Sequence, residues 1–151
     1  MSRIVPLTAW LAILAPAPIQ ASDPAWEPLP GLDEAVLIEF DRDSVARREG
    51  QLTLWLRLSF AKPVAGRRLA FHSAVAEHAV DCARRRHATM RMTTYSGMLG
   101  EGEVIDRWDR SPHDWDWRSA LGDPADEGII ALACAQAAIT HLSRPITTSP
   151  P

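Results

Sequence analysis

Two cysteines, Cys82 and Cys134, are the residues of this 151-residue sequence with the clearest chemistry. Two cysteines of one exported chain favour a disulfide bond, because the periplasm and the cell surface are oxidising. Neither cysteine belongs to a CxxC motif, and no histidine lies at zinc-finger spacing from them. The pattern predicts a Cys82–Cys134 disulfide, with a free reactive thiol or half of a metal site as the alternatives.

The N-terminal residues indicate export. Arg3 supplies a positive charge, and the apolar run over residues 4–14 is too short to span a bilayer comfortably. The sequence therefore predicts a signal peptide over residues 1–21, cleaved after Ala21, and a periplasmic, cell-surface or extracellular location. An N-terminal membrane anchor is the alternative. The mature chain contains no further apolar segment of spanning length, so no transmembrane segment is expected there.

Histidines and aspartates offer weaker chemistry. His72 and His78 with Asp81 could hold a metal ion only if the chain bends, so we expect ordinary surface histidines and no metal. Asp114 and Asp116 could act as an acid/base pair or in a calcium loop, but the spacing is not that of an EF-hand. We expect a solvated acidic loop. The sequence also lacks nucleophile-elbow, zincin and phosphate-loop motifs, which favours a non-catalytic protein without a cofactor.

Arginine and tryptophan are the side chains that favour a binding role. These residue types dominate interface energetics, and the candidate surface comprises Arg84, Arg86, Trp108, Trp115 and Trp117. In a strand, Arg84 and Arg86 would share one face and could bind an acidic partner or a polyanion. The alternative is that the tryptophans close the core and the arginines are solvated. The net charge of -3 gives no electrostatic signature for nucleic acid.

Hydrophobic patterning predicts the elements that position these residues. Residues 52–60 alternate strictly between apolar and amphipathic side chains, which predicts a strand with one apolar face. Further strands are predicted over residues 35–41, 44–48, 77–86, 87–95 and 103–107, with a turn at 41–44 and a packed loop over 108–121. Residues 70–77 suit a helix or a strand. Exposed sheet edges could pair two copies, so a homodimer is compatible with this sheet.

One amphipathic helix is predicted near the C-terminus. Asp123 suits the N-cap and Pro124 the first helical position. A narrow stripe of mostly small residues follows, namely Ile130, Ala133, Cys134, Ala137 and Ala138, with Leu142 nearby. The helix is expected to end before Pro145, leaving residues 145–151 as a disordered tail and residues 22–144 as one domain.

The order of these elements resembles the bacterial surface-adhesin E-like family. The resemblance covers Trp26 to Cys134 and is carried by the segments LTLWLRL and VDCARRR, the glycine turn after Tyr95, the tryptophan-rich loop and the helical cysteine. It implies an α+β fold: an antiparallel sheet of about six strands, one C-terminal helix packed on it, and a sheet-to-helix disulfide matched here by Cys82 and Cys134. Pro124-Ala125-Asp126 stands where the family usually opens its helix with a Pro-Gly-Ser-like turn.

The family name comes from adhesins that bind host matrix proteins. We therefore expect an exported, non-catalytic binding protein that contacts a host or surface macromolecule, such as an extracellular or envelope protein. The alternative is a periplasmic, envelope-associated module that binds a small ligand or an envelope protein. Exposed tryptophans beside a basic patch would favour adhesion, whereas an enclosed pocket with converging polar groups would favour the module.

Overall fold

A computed structural model describes residues 24–29, 35–48 and 51–142. Within these residues, antiparallel strands form one sheet, and one α-helix packs against it. The expected α+β fold is confirmed: the sheet has six strands in sequence order and a short seventh beside the fifth, and the C-terminal helix and the disulfide are present. The predicted signal peptide (residues 1–21) and C-terminal tail (residues 145–151) lie outside the described residues.

The strands cross the sheet in sequence order, each antiparallel to its neighbour. They are β1 (Trp26–Pro28), β2 (Val36–Arg48), β3 (Gln51–Val64), β4 (Phe71–Asp81), β5 (Arg86–Tyr95) and β6 (Val104–Asp109), with a short β7 (Arg118–Ser119) and helix α1 (Pro124–Leu142). Both β6 and β7 pair with β5, at different ends of that strand. The chain between them contains a 3-10 turn at Pro112–Asp114.

Strand β3 has the alternation that its sequence predicts. Leu52, Leu54 and Leu56 are buried in the core beneath α1, since one side of a strand points to one face of the sheet. Trp55 and Arg57 consequently face the opposite side. This alternation identifies the two sheet faces for the neighbouring strands, whose residues pair with β3 in register.

The predicted turn over residues 41–44 is wrong, because β2 runs through it to Arg48. The pairing with β3 shifts between Asp41 and Ala46, so the polar segment forms a bulge inside a continuous strand. Ser44 stabilises the bulge: its Oγ donates to the Asp41 carbonyl at 2.6 Å and accepts from the Trp55 amide at 2.8 Å.

Strands β4 and β5 differ from their predicted bounds. The ambiguous segment 70–77 belongs to β4, which ends at Asp81, and residues 82–85 form the turn into β5. Most of β4 between Ser73 and Val80 is buried, so the strand lacks the apolar–polar alternation of a half-exposed strand. Cys82 and Arg84 therefore lie in a turn and not in a strand.

Helix α1 begins as its sequence predicts. The Asp123 carboxylate accepts hydrogen bonds from the amides of Ala125 and Asp126, at 2.9 and 3.2 Å. Ile129, Ile130 and Ala133 are buried against the sheet. Cys134 and Ala137 pack beside this cluster, but Ala138 is exposed, so the inward stripe is shifted from the predicted one. Among the described helices, none is long and apolar enough to cross a membrane.

Candidate functional site

The Cys82–Cys134 disulfide anchors the region that contains the candidate surface. The Cα atoms of Cys82 and Cys134 are 5.9 Å apart, and the bond joins the β4–β5 turn to α1 across 52 residues of chain. The predicted pairing is confirmed. In the chain-entropy model, a loop of this length stabilises the native state by about 4 kcal/mol. The turn that contains Arg84 is thereby tied to the helix.

Asp81 draws two of the predicted arginines together. Its carboxylate accepts from the Arg84 amide at 3.0 Å, from Arg84 Nη1 at 3.1 Å and from Arg86 Nε at 3.2 Å. Burial raises the pKa of Asp81, but these hydrogen bonds and the Arg84 charge outweigh it and hold the pKa below its usual value. Arg84 and Arg86 thus share an anchor, although Arg84 does not share a strand face with Arg86 as predicted.

Trp117 stacks against Arg86. The guanidinium carbon of Arg86 lies 4.5 Å from the centroid of the Trp117 ring, a cation–π geometry. Trp115 packs edge-on against Trp117 with centroids 5.8 Å apart, and its Nε1 donates to the Arg110 carbonyl at 3.1 Å. Both tryptophans remain partly exposed. We call Arg84, Arg86, Trp115 and Trp117 the Arg–Trp surface.

Trp108 lies apart from this surface. The predicted packed loop begins later than residue 108, because Trp108 belongs to β6 and pairs with Met92 on β5. Arg110 stacks on Trp108 at 4.7 Å. Trp108, Met92 and Phe71 help line an open pocket of about 210 Å³, whose polar edge contains the Arg67–Asp106 ion pair at 3.1 Å.

A second group of arginine–tryptophan pairs lies on the sheet face opposite α1. Arg57 stacks on Trp26 at 4.7 Å, and Arg91 lies 5.8 Å from Trp55. Arg91 also contacts the carboxylate of Glu77 at 2.7 Å, and Glu77 is only 1% exposed. Sequence reasoning missed this group. The signal available was the placement of Trp55 and Arg57 at alternate positions of β3, which puts both on its polar face.

Buried polar side chains connect the sheet to the start of α1. His78 Nδ1 and His87 Nδ1 are 3.0 Å apart, and His87 Nε2 lies 2.9 Å from Asp126 Oδ1. The exposed fractions of His78, His87 and Asp126 are 6%, 3% and 8%. The expectation of an ordinary surface histidine is therefore wrong for His78, and His87 is buried as well. We call these three residues the His–His–Asp network.

The hydrogen bonds restrict the tautomers of the network. His87 donates from Nε2 to the Asp126 carboxylate, and one of the two facing Nδ1 atoms donates to the other. His78 Nε2 is buried without a hydrogen-bond partner among the described residues. Burial, followed by the charges of His87 and Arg118, lowers the pKa of His78 from 6.5 to about 3. His78 is consequently neutral at physiological pH.

The sequence around His78 contained part of the signal that this histidine is buried. His78 lies in the segment Ala74–Val80, which is mostly buried and, apart from Glu77 and His78, made of small and apolar residues. Its partners could not be predicted, because His87 comes from the next strand and Asp126 from the helix. The weighed alternative of His72, His78 and Asp81 is not assembled: no group of three potential ligands among the described residues is placed to hold a metal ion.

The match to a family model agrees with the resemblance found in the sequence. A family model described as surface-adhesin protein E matches residues 26–135. Crystal form II of Haemophilus influenzae protein E is 14% identical, with a TM-score of 0.48, covering 72% of this chain and 94% of that one. Protein E from non-typeable Haemophilus influenzae is 16% identical, with a TM-score of 0.48, covering 83% and 95%. No curated protein matches.

The family model spans well over half of the sequence, from β1 to the helical cysteine at position 134. The chain therefore belongs to the surface-adhesin protein E family.

Proposed function

We propose that this chain is an exported, non-catalytic adhesin that binds a protein of a host surface or matrix through the Arg–Trp surface. The observation that carries the proposal is Arg86, which is held between the Asp81 carboxylate and the Trp117 ring. Family membership supports adhesion as the role, and the surface residues supply the chemistry that protein interfaces favour.

The side chains of the Arg–Trp surface are already held in place, which makes the surface suitable for binding. A long arginine side chain usually loses conformational freedom when it enters an interface, at about 0.5–1.5 kcal/mol. Arg86 is already constrained by its hydrogen bond and its stacking contact, and Trp115 is constrained by its bond to the Arg110 carbonyl. Little further ordering is needed when a partner covers these residues.

The test is binding of the mature chain, residues 22–151, to a panel of immobilised extracellular-matrix proteins. Trp117→Ala and Arg86→Ala are each expected to weaken binding by roughly tenfold or more. This corresponds to a loss of about 1.4 kcal/mol or more in binding free energy, as is typical of residues that dominate an interface. Trp108→Ala is the matched control, since Trp108 also stacks with an arginine but lies outside the surface. Melting temperatures of all variants verify that they fold.

Two results would contradict the proposal. Either the mature chain binds no matrix protein, or folded Trp117→Ala and Arg86→Ala variants bind as tightly as the parent. A loss of binding confined to Trp108→Ala would move the binding surface to the pocket side of β6.

The alternative role, a periplasmic module that binds a small ligand, rests on the pocket beside Trp108. Leu69 and Phe71 give it an apolar wall, but its charged residues, Arg67 and Asp106, already pair with each other. Converging unpaired polar groups would be expected in a specific small-molecule site. The geometry of the pocket therefore favours the adhesin over the small-ligand module.

A further inference from the structure

Exposed arginines from the end of one strand and from one turn lie at the same end of the sheet. Arg47 and Arg48 end β2, and Arg84 and Arg85 lie in the turn between β4 and β5. Arg47 pairs with Leu52 of β3, which in turn pairs with Val80 of β4. The end of β2 is thus two strand spacings, about 10 Å, from the end of β4.

Positive charge at this end is largely unneutralised. Arg84 and Arg86 share Asp81, whereas Arg47, Arg48 and Arg85 form no ion pair with any described residue. Glu49, next along the sequence, lies outside the described residues. The whole chain has a net charge of -3. The charge at this end of the sheet is therefore opposite in sign to the net charge of the protein. Such asymmetry attracts a polyanion to one place.

Arg85 provides a second, independent observation. Its φ is +48°, in the left-handed region that glycine, asparagine and aspartate adopt more readily. The Arg85 side chain is exposed and forms no hydrogen bond or ion pair with a described residue, while its backbone nitrogen donates to the Cys82 carbonyl and its carbonyl accepts from the Ala120 amide. A strained residue at the tip of a turn is a reason to look for a role of its side chain in binding.

We propose that this basic end, comprising Arg47, Arg48, Arg84, Arg85 and Arg86, binds a sulfated polysaccharide. The inference rests on the proposed adhesin function and deepens it by naming a second class of partner. Guanidinium groups bind sulfate through paired hydrogen bonds. The ends of β2 and β4, about 10 Å apart, offer successive contacts to sulfates along one linear chain. An adhesin at the cell surface, as proposed above, would meet such polysaccharides, and the disulfide fits an oxidising compartment.

The experiment measures the affinity of the mature chain for heparin at several salt concentrations. The test variant combines Arg47→Ala, Arg48→Ala and Arg85→Gly; the last change relieves the positive φ, so the fold is retained. Arg84 and Arg86 are kept because they bind Asp81. The matched control combines Arg67→Ala, Arg68→Ala and Arg107→Ala, which removes the same charge from exposed arginines elsewhere.

We expect the parent to bind heparin with a steep salt dependence, because binding releases counterions from the polyanion. The test variant should lose affinity by tenfold or more and lose roughly two to three from the slope of log affinity against log salt, whereas the control changes little. Heparin from which the sulfates have been removed should bind the parent weakly.

The inference is overturned if the parent does not bind heparin, if both triple variants lose affinity equally, or if duplex DNA binds the parent more tightly than heparin at equal charge. The same preparations assayed on matrix proteins separate the two proposals. Binding to matrix protein without binding to heparin removes only the polysaccharide inference, and binding to neither removes both.

Discussion

At the scale of single residues, the most informative side chain is His78. A buried imidazole whose Nε2 has no partner costs free energy, and the cost is much larger when the imidazole is protonated. Three groups face it: His87 on β5, Arg118 on β7 and, through His87, Asp126 on α1. The positive charge of Arg118 and the apolar surroundings both oppose protonation, and so the network joins helix to sheet without a charge on His78.

This network predicts acid sensitivity. The pKa of His78 is about 3 in the folded chain against 6.5 unfolded, so between these values the unfolded state binds more protons. Stability must therefore fall as the pH drops below 6.5, by about 1.4 kcal/mol per pH unit for one proton. Chemical denaturation between pH 6.5 and 5 measures this slope, with His78→Phe as the comparison.

The pH range from 6.5 to 5 lies above the range in which the stability contributed by Asp81 changes. Asp81 has a lowered pKa, so the stability it contributes is lost only below its unfolded value of 3.8. His78→Phe removes one titrating group and should flatten the slope between pH 6.5 and 5. Equal slopes for the parent and His78→Phe would show that His78 is not kept neutral by its surroundings.

At the scale of elements, the turn after β5 illustrates how a short segment is positioned. Ser73 and Ser59, both buried, bind its backbone: Ser73 Oγ donates to the Gly97 carbonyl at 2.6 Å, and Ser59 Oγ accepts from the Leu99 amide at 3.0 Å. Gly102 closes the turn with a φ of +82°. Its location beside Gly97 leaves no space for a side chain.

Substitution of two glycines with similar backbone angles distinguishes the cost of backbone strain from the cost of a steric clash. A Cβ at Gly102 would lie 2.6 Å from Ser96 Oγ and 3.0 Å from the Gly97 nitrogen, whereas at Gly122, with a φ of +89°, it would meet nothing within 4 Å. We expect Gly122→Ala to lower the free energy of unfolding by about 1 kcal/mol and Gly102→Ala by roughly 2 to 3. Urea denaturation of both variants measures the difference, and equal losses would refute the clash.

The disulfide gives the second prediction for an element. Cys82→Ser combined with Cys134→Ser should lower the free energy of unfolding by about 4 kcal/mol, because the unfolded chain regains the freedom of a 52-residue loop. Reduction of the parent under native conditions is the control and should give the same melting temperature as the variant. A variant that melts together with the oxidised parent would contradict a stabilising role for the bond.

At the scale of the whole molecule, the sequence predicts what depends on local pattern and fails where partners are distant. The alternation in β3 and the cap at Asp123 are local, and both agree with the structure. The bulge in β2 resembles a turn in sequence because its polar residues are also turn residues, whereas the register with β3 and the Ser44–Trp55 hydrogen bond show that the strand continues.

The candidate site follows the same rule. Arg84 and Arg86 were identified as a pair, but their common anchor Asp81 and the stacking of Trp117 on Arg86 depend on the turn and on the β5–β7 pairing. Nothing in the spacing of Trp108 distinguished it from Trp117. Their separation results from the different positions at which β6 and β7 join β5.

The most direct test of the adhesin account is adherence of whole cells to a surface coated with matrix protein. Cells lacking the gene should adhere poorly, the parent gene should restore adherence, and a gene with both Arg86→Ala and Trp117→Ala should not, at an equal surface level measured with antibody. Unchanged adherence without the gene, or full restoration by the double variant, would contradict the claim that the Arg–Trp surface mediates adhesion.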